Sequence, residues 1–262
     1  MTDKLAQARE VLARANRIIA NEGVLDAFGH VSMRHPGDPT RYLLSRSRAP
    51  ELVHPEDILE FTLDSQPVKP TDVRLYGERV IHGGIYQARP DVNAVCHHHA
   101  PSILPFCISG SDLKPVYHLG ATLGDKVPFW DARDDFGDTN LIVAKPEEGA
   151  SLARALGPHW IVLMRRHGAA VAGVSLEELT FRTIYTTRNA ALQIQAHTLG
   201  HVSPLSGAET RLASEYNLRP GPVMRAWEYW NVRLDKAEGA AAARKPKIRA
   251  AKKSARKRKR RR

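Results

Sequence analysis

Residues 77–102 read GERVIHGGIYQARPDVNAVCHHHAPS. Leu75, Ile81 and Ile85 fall at helical spacing and Pro90 closes the segment, so the pattern predicts a helix over 72–88 despite Gly83 and Gly84. The stretch 93–99, "NAVCHHH", then reads as a buried strand that leads to a short helix at 101–108. A helix, a tight break and a buried strand in so short a span is the unit of an α/β fold. Successive side chains of a strand alternate faces, so His97 and His99 share one face and can reach a single ion, while His98 points to the other.

A third ligand must come from another segment. The best candidate is His167 in "LMRRHGAAVAG" (163–173), where a strand ends in His-Gly and the glycine permits a tight backbone. Three imidazoles with open positions describe a catalytic site rather than a closed structural one, and they suit zinc, manganese, cobalt or iron. Glu78, on the helix ahead of the strand, is the candidate carboxylate, placed to act as general acid and base or to ligate the metal when no substrate is present. On spacing alone, the i,i+4 relation of Glu78 and His82 favours a solvent-facing helix pair instead.

Toward the N-terminus, Leu5, Ala8, Val11, Leu12, Ala15, Ile18 and Ile19 form a stripe that predicts an amphipathic helix from Asp3 to Asn21. "GHVSMRHP", "RYLLSRS" and the turn-rich "HPEDILEFTLDSQPVKP" follow as strands and hairpins. Toward the C-terminus, "LIVA" and "WIVLMRRHGAAVAG" are β-rich and flank a helix at 146–156. Ser175 with Glu178 forms a capping box for a long helix ending near Gly200, and helices at about 206–216 and 222–236 close the body. The whole predicts a single αβα domain over 1–238 with a central, largely antiparallel sheet flanked by helices.

The 262 residues carry a net charge of +11, which by itself suggests a polyanionic partner. The segment 244–262 holds 13 lysines and arginines and no acidic residue, so subtracting 13 from +11 leaves residues 1–243 at −2. The basicity therefore belongs to a tail, 239–262, whose composition predicts disorder and at most weak, salt-dependent contact with nucleic acid. No run approaches a membrane span and the N-terminus lacks a signal-peptide apolar stretch, which favours a cytoplasmic enzyme. Cys96 and Cys107, the only cysteines, lie in or beside apolar segments and are expected to stay reduced.

The segments "GHVSMR", "GERVIHGGIYQARPDVNAVCHHHAPS" and "LMRRHGAAVAGVSLEEL", in that order and spacing, resemble the class II aldolase/adducin family over about residues 5–200. The resemblance implies a tetramer with active sites at subunit interfaces and one divalent ion per subunit. It places His97, His99 and His167 on the family's metal ligands and Glu78 on its acid/base glutamate.

The departures point to the substrate. Sugar-phosphate members cradle phosphate with small hydroxyl and glycine residues; here the matching stretches read "GHVS", "SRSRAP" and "LYGE". His30, Arg46, Arg48 and Tyr76 are thus expected to line the site, together with Ser45, as cationic and aromatic groups suited to carboxylates and a flat ring. His118, followed by Leu119 where the aldolases carry a proton-transferring tyrosine, is a further pocket candidate. The pattern looks like the decarboxylase branch, similar to the 3-hydroxy-2-methylpyridine-4,5-dicarboxylate and 3,4-dihydroxyphthalate decarboxylases. It implies an aromatic or pyridine vicinal dicarboxylate as substrate. An aldolase or epimerase and a non-catalytic adducin-like binding module are the competing expectations.

Overall fold

The computed structural model describes the backbone of residues 2–259 and the side chains of residues 4–241. Its centre is a seven-stranded sheet in the order β3-β2-β1-β4-β7-β6-β5. The strands are β1 (His30–Arg34), β2 (Arg41–Ser45), β3 (Ile58–Thr62), β4 (Ala94–His98), β5 (Phe129–Trp130), β6 (Ile161–Met164) and β7 (Gly168–Gly173). All neighbours pair antiparallel except β5 with β6.

Strand alternation builds two cores. Ala94, Cys96, Ile161, Leu163, Ala169 and Val171 face one side, against α1 (Thr2–Asn21), α6 (Leu176–Leu199) and α8 (Pro220–Lys259). Val95, Val162, Met164, Ala170 and Ala172 face the other, against α2 (Arg79–Ala88) and α5 (Pro146–Leu156). The short helices α3 (Leu104–Ser109) and α4 (Arg133–Phe136) and the helix α7 (Gly207–Asn217) complete the layers. The αβα architecture matches the sequence expectation.

Gly83 and Gly84, which weaken the helical signal of α2, have a packing cause. A Cβ on Gly84 would lie 2.6 Å from the Gly149 carbonyl oxygen of α5, so the helices cross backbone against backbone.

Three local expectations change ahead of the C-terminal helix. The helix over 72–88 begins at Arg79 and leaves Glu78 at its N-cap rather than inside it. Ahead of it, Arg74 O accepts from Ser47 N at 2.8 Å, which commits the chain to pairing outward instead of to helix. "LIVA" forms no strand: Leu141 has φ of 68°, and the Ala144 and Lys145 amides donate to the Glu148 carboxylate in place of a ladder. Ser175 accepts from the Glu178 amide, but the Glu178 carboxylate turns to Arg182 at 2.7 Å, so only half of the capping box forms.

At the C-terminus α8 packs Trp230 and Leu234 into the core and pairs Arg14 with Asp235 and Arg17 with Glu238. Its helix continues to Lys259, where the composition suggests disorder from 239; alanine, lysine and arginine are strong helix formers. Residues 260–262 of that expected tail lie outside the described residues. Both cysteines are free and buried, and among the described residues no helix is long and apolar enough to cross a membrane. Burial pushes the Cys96 thiol up to about 12 and the Cys107 thiol to about 11.

Candidate metal and substrate site

β4 presents His97 on the α2/α5 face, the parity of Val95, and His98 on the opposite face, where it is fully buried. His99, just past the strand, returns to the side of His97. Their rings are 4.6 Å apart, and His167, three residues beyond the end of β6, lies 4.9 Å from His97 and 5.1 Å from His99. Gly29, at φ of 86°, brings β1 in so close that a Cβ there would lie 2.8 Å from the His97 carbonyl oxygen.

Glu78 caps this triangle from the start of α2. Its Oε2 lies 3.5 Å from His97 Nε2 and its Oε1 3.2 Å from His167 Nε2, with the Val143 amide donating to Oε1 at 3.3 Å. One ligand atom from each of Glu78, His97, His99 and His167 falls within 4.8 Å of the others. Burial alone would raise the Glu78 pKa, but the facing His167 and His97 rings outweigh it and hold the carboxyl well below its ordinary range. Burial pushes His99 down to about 4, with the neighbouring His97 and His167 adding to the effect, which keeps this ring a neutral ligand.

These donors suit a divalent ion. His97 Nδ1 lies 3.1 Å from the Ala169 carbonyl oxygen, which can only accept, so the neutral ring carries its proton there. His97 Nε2 is buried without a hydrogen-bond partner, and its lone pair faces the Glu78 carboxylate. Two acceptors facing each other in a buried site call for positive charge between them. Three imidazoles and a carboxylate are a ligand set for zinc, manganese, cobalt or iron.

The substrate candidates cluster beside this centre. The His30 ring lies 5.3 Å from His97 and 4.5 Å from Tyr76. Tyr76 donates its hydroxyl to the Arg48 carbonyl oxygen and accepts from the Arg48 amide at 3.2 Å, with Ser45, buried at the end of β2, beside it. Arg46 and Arg48 lie past the end of β2, so strand alternation does not separate them: Arg46 Nε reaches Asp57 Oδ1 at 2.6 Å and Arg48 Nη1 reaches Oδ2 at 2.7 Å. His118 stands apart. It lines a cavity of about 870 Å³ with α6, α7 and α8, and no described contact joins it to the metal cluster.

Four residues here escape the sequence reading. Asp57, 3% exposed, holds both arginines, and inside "HPEDI" it looks like an ordinary turn residue. His82 is fully buried rather than facing solvent, and with Ser32 and Tyr86 it continues inward from His30. Its i,i+4 relation to Glu78 was the available signal, but it pointed outward.

Residues 10–194 match the family model described as the class II aldolase and adducin N-terminal domain. Decarboxylase tropJ of Talaromyces stipitatus is 34% identical over 235 residues, covering 81% of this chain and 88% of that protein. The 3,4-dihydroxyphthalate decarboxylase of Arthrobacter keyseri is 28% identical, covering 74% and 81%. Among solved structures, L-fuculose 1-phosphate aldolase from Glaciozyma antarctica PI12 superposes with a TM-score of 0.74 at 20% identity, covering 90% and 91% of the two chains.

Proposed function

The chain belongs to the class II aldolase and adducin family, and on that premise we propose that it is a metal-dependent decarboxylase of a hydroxylated aromatic or pyridine vicinal dicarboxylate. It removes the carboxylate ortho to the ring hydroxyl. Relatives named as decarboxylases support the reaction class. The observation that carries the substrate class is the arginine pair, joined to the metal cluster through Tyr76 and His30. Two guanidiniums share one carboxylate, Asp57, which leaves one unit of positive charge for the substrate carboxylate that stays. The rings of Tyr76 and His30, 4.5 Å apart and tilted 48° to each other, supply aromatic surface between that charge and the cluster.

His97, His99 and His167, with Glu78 when no substrate is present, would hold the ion. Bound there, a divalent metal supplies Lewis-acid stabilisation of negative charge on oxygen. Glu78, ionised at rest, takes the proton of the ring hydroxyl. As the ring–carboxylate bond breaks and CO2 leaves, the electron pair remains on the ring carbon and the Glu78 carboxyl returns its proton there. Arg46 and Arg48 keep the second carboxylate in register throughout. A homo-oligomer is part of the same reading, supported by Leu212, Tyr216, Met224 and Tyr229 exposed on α7 and α8.

The test is CO2 release from 3,4-dihydroxyphthalate, from 3-hydroxy-2-methylpyridine-4,5-dicarboxylate and from a panel of sugar phosphates. One of the dicarboxylates is expected to turn over. Glu78→Gln should abolish turnover while the metal is retained, and His97→Ala should lose the metal. Wild-type kinetics in both variants, or turnover of sugar phosphates alone, overturns the proposal.

A further inference from the structure

A buried row of hydrogen bonds runs inward from the site, and the residues at its far end fix its direction. His30 Nδ1 lies 2.6 Å from His82 Nε2, His82 Nδ1 lies 2.6 Å from Ser32 Oγ, and Ser32 Oγ lies 2.8 Å from the Tyr86 hydroxyl. His30 is 2% exposed, Tyr86 1%, and Ser32 and His82 are fully buried, so water does not offer alternative partners. The row depends on register: His30 pairs with His97 and Ser32 with Val95 across β1 and β4, while His82 and Tyr86 are one turn apart on α2.

Each atom in the row has few choices. A buried phenol must donate its hydrogen, and among the described residues the acceptor bonded to Tyr86 is Ser32 Oγ. Ser32 has one hydrogen, and with its oxygen accepting from Tyr86 it donates to His82 Nδ1. His82 then carries its proton on Nε2 and donates to His30 Nδ1. His30 is left with its proton on Nε2. Burial drives the Tyr86 pKa upward and the His82 pKa down to about 3, so the phenol keeps its hydrogen and the imidazole takes no second one. The opposite direction would leave the Tyr86 hydrogen without an acceptor.

His30 Nε2 has no described partner and, unlike His97 Nε2 and His98 Nε2, is not sealed off. Its ring stands between those of His97 and Tyr76. We propose that Tyr86, Ser32 and His82 lock His30 into the Nε2–H tautomer, making it a fixed hydrogen-bond donor to an oxygen of the substrate held beside the metal cluster. Tyr86, Ser32 and His82 are positioning residues, and His30 is the group that touches substrate. The identity of that substrate rests on the function proposed above; the tautomer does not. A donor that cannot become an acceptor favours a carboxylate or oxyanion over a group that must itself donate, and it needs no reorganisation as charge develops.

The test uses the zinc-loaded full chain with ¹⁵N-labelled histidine. Long-range ¹H–¹⁵N correlation reads the tautomers, the His30 and His82 signals being assigned from their loss in His30→Gln and His82→Gln. Both rings are expected as Nε2–H in the wild type. Ser32→Ala should convert them to a mixture and weaken phthalate, measured by calorimetry, about fivefold, and Ser32→Thr, which keeps the hydroxyl, should restore both. His30 found as Nδ1–H in the wild type, or tautomers and affinity unchanged in Ser32→Ala, overturns the inference. If the wild type neither binds phthalate nor releases CO2, the functional reading fails while the tautomer result still decides whether His30 is locked.

Discussion

Asp57→Asn separates charge from shape at the arginine pair. The wild-type carboxylate accepts from Arg46 Nε at 2.6 Å, Arg48 Nη1 at 2.7 Å and the His54 amide at 2.8 Å, and it is 3% exposed. A charged hydrogen bond to a buried acceptor contributes about 1.5–3 kcal/mol, but both guanidiniums remain partly open to solvent and recover much of their hydration. The asparagine also keeps one acceptor, so the expected loss is about 2 kcal/mol at pH 7, read from urea unfolding. Burial by itself would raise the Asp57 pKa; the His54 amide and the two arginines outweigh it and the net shift is downward. The stability from this group is therefore present above the unfolded pKa of about 4 and is lost as pH falls through the lower folded value. The wild type and the variant should converge in acid and differ most near neutrality. In turnover, the variant frees two cations from a fixed geometry while adding one net positive charge. If position matters more than charge, KM rises about tenfold with kcat within about twofold. A fall in KM would refute the positioning argument, and an equal stability gap at pH 3 and pH 7 would refute the electrostatic one.

Gly149→Ala should destabilise the protein by about 3 kcal/mol or more in thermal or urea unfolding, because the added methyl meets the Val80 backbone where α5 crosses α2 and neither helix can yield. Added zinc or manganese at one hundred times its dissociation constant should raise the stability of metal-stripped protein by about 2.7 kcal/mol, seen as a thermal shift, and His97→Ala should erase that shift.

The candidate metal cluster is legible in the sequence because it depends on local rules. Strand alternation separates His97 and His99 from His98, and the His-Gly step marks His167. What escaped depends on partners far along the chain. Leu75 continues the apolar spacing of α2, yet its neighbours Arg74 and Tyr76 are committed to Ser47 and Arg48, so the chain at 74–76 pairs outward and Glu78 becomes a cap. "LIVA" has strand composition, but its neighbouring amides are claimed by Glu148 and the Val143 amide by Glu78. His82 faces inward because β1 brings Ser32 and His30 beneath α2, a register no local pattern records. Arg46 and Arg48 were identified, but the carboxylate that aims both of them was not.

The pairing of β4 with β7 also orders events in time. His97 Nδ1 bonds to the Ala169 carbonyl oxygen 72 residues away, so His167 cannot join His97 and His99 until that long loop has closed. Loops of this length close at an entropic cost that delays non-local sheets in folding. A nascent chain that has made only the β4 segment owns two imidazoles and no enclosure, a poor trap for an ion. On the proposed function, an ion held by all three imidazoles would be captured only after strand assembly, so that metal loading would select the copies that have finished folding.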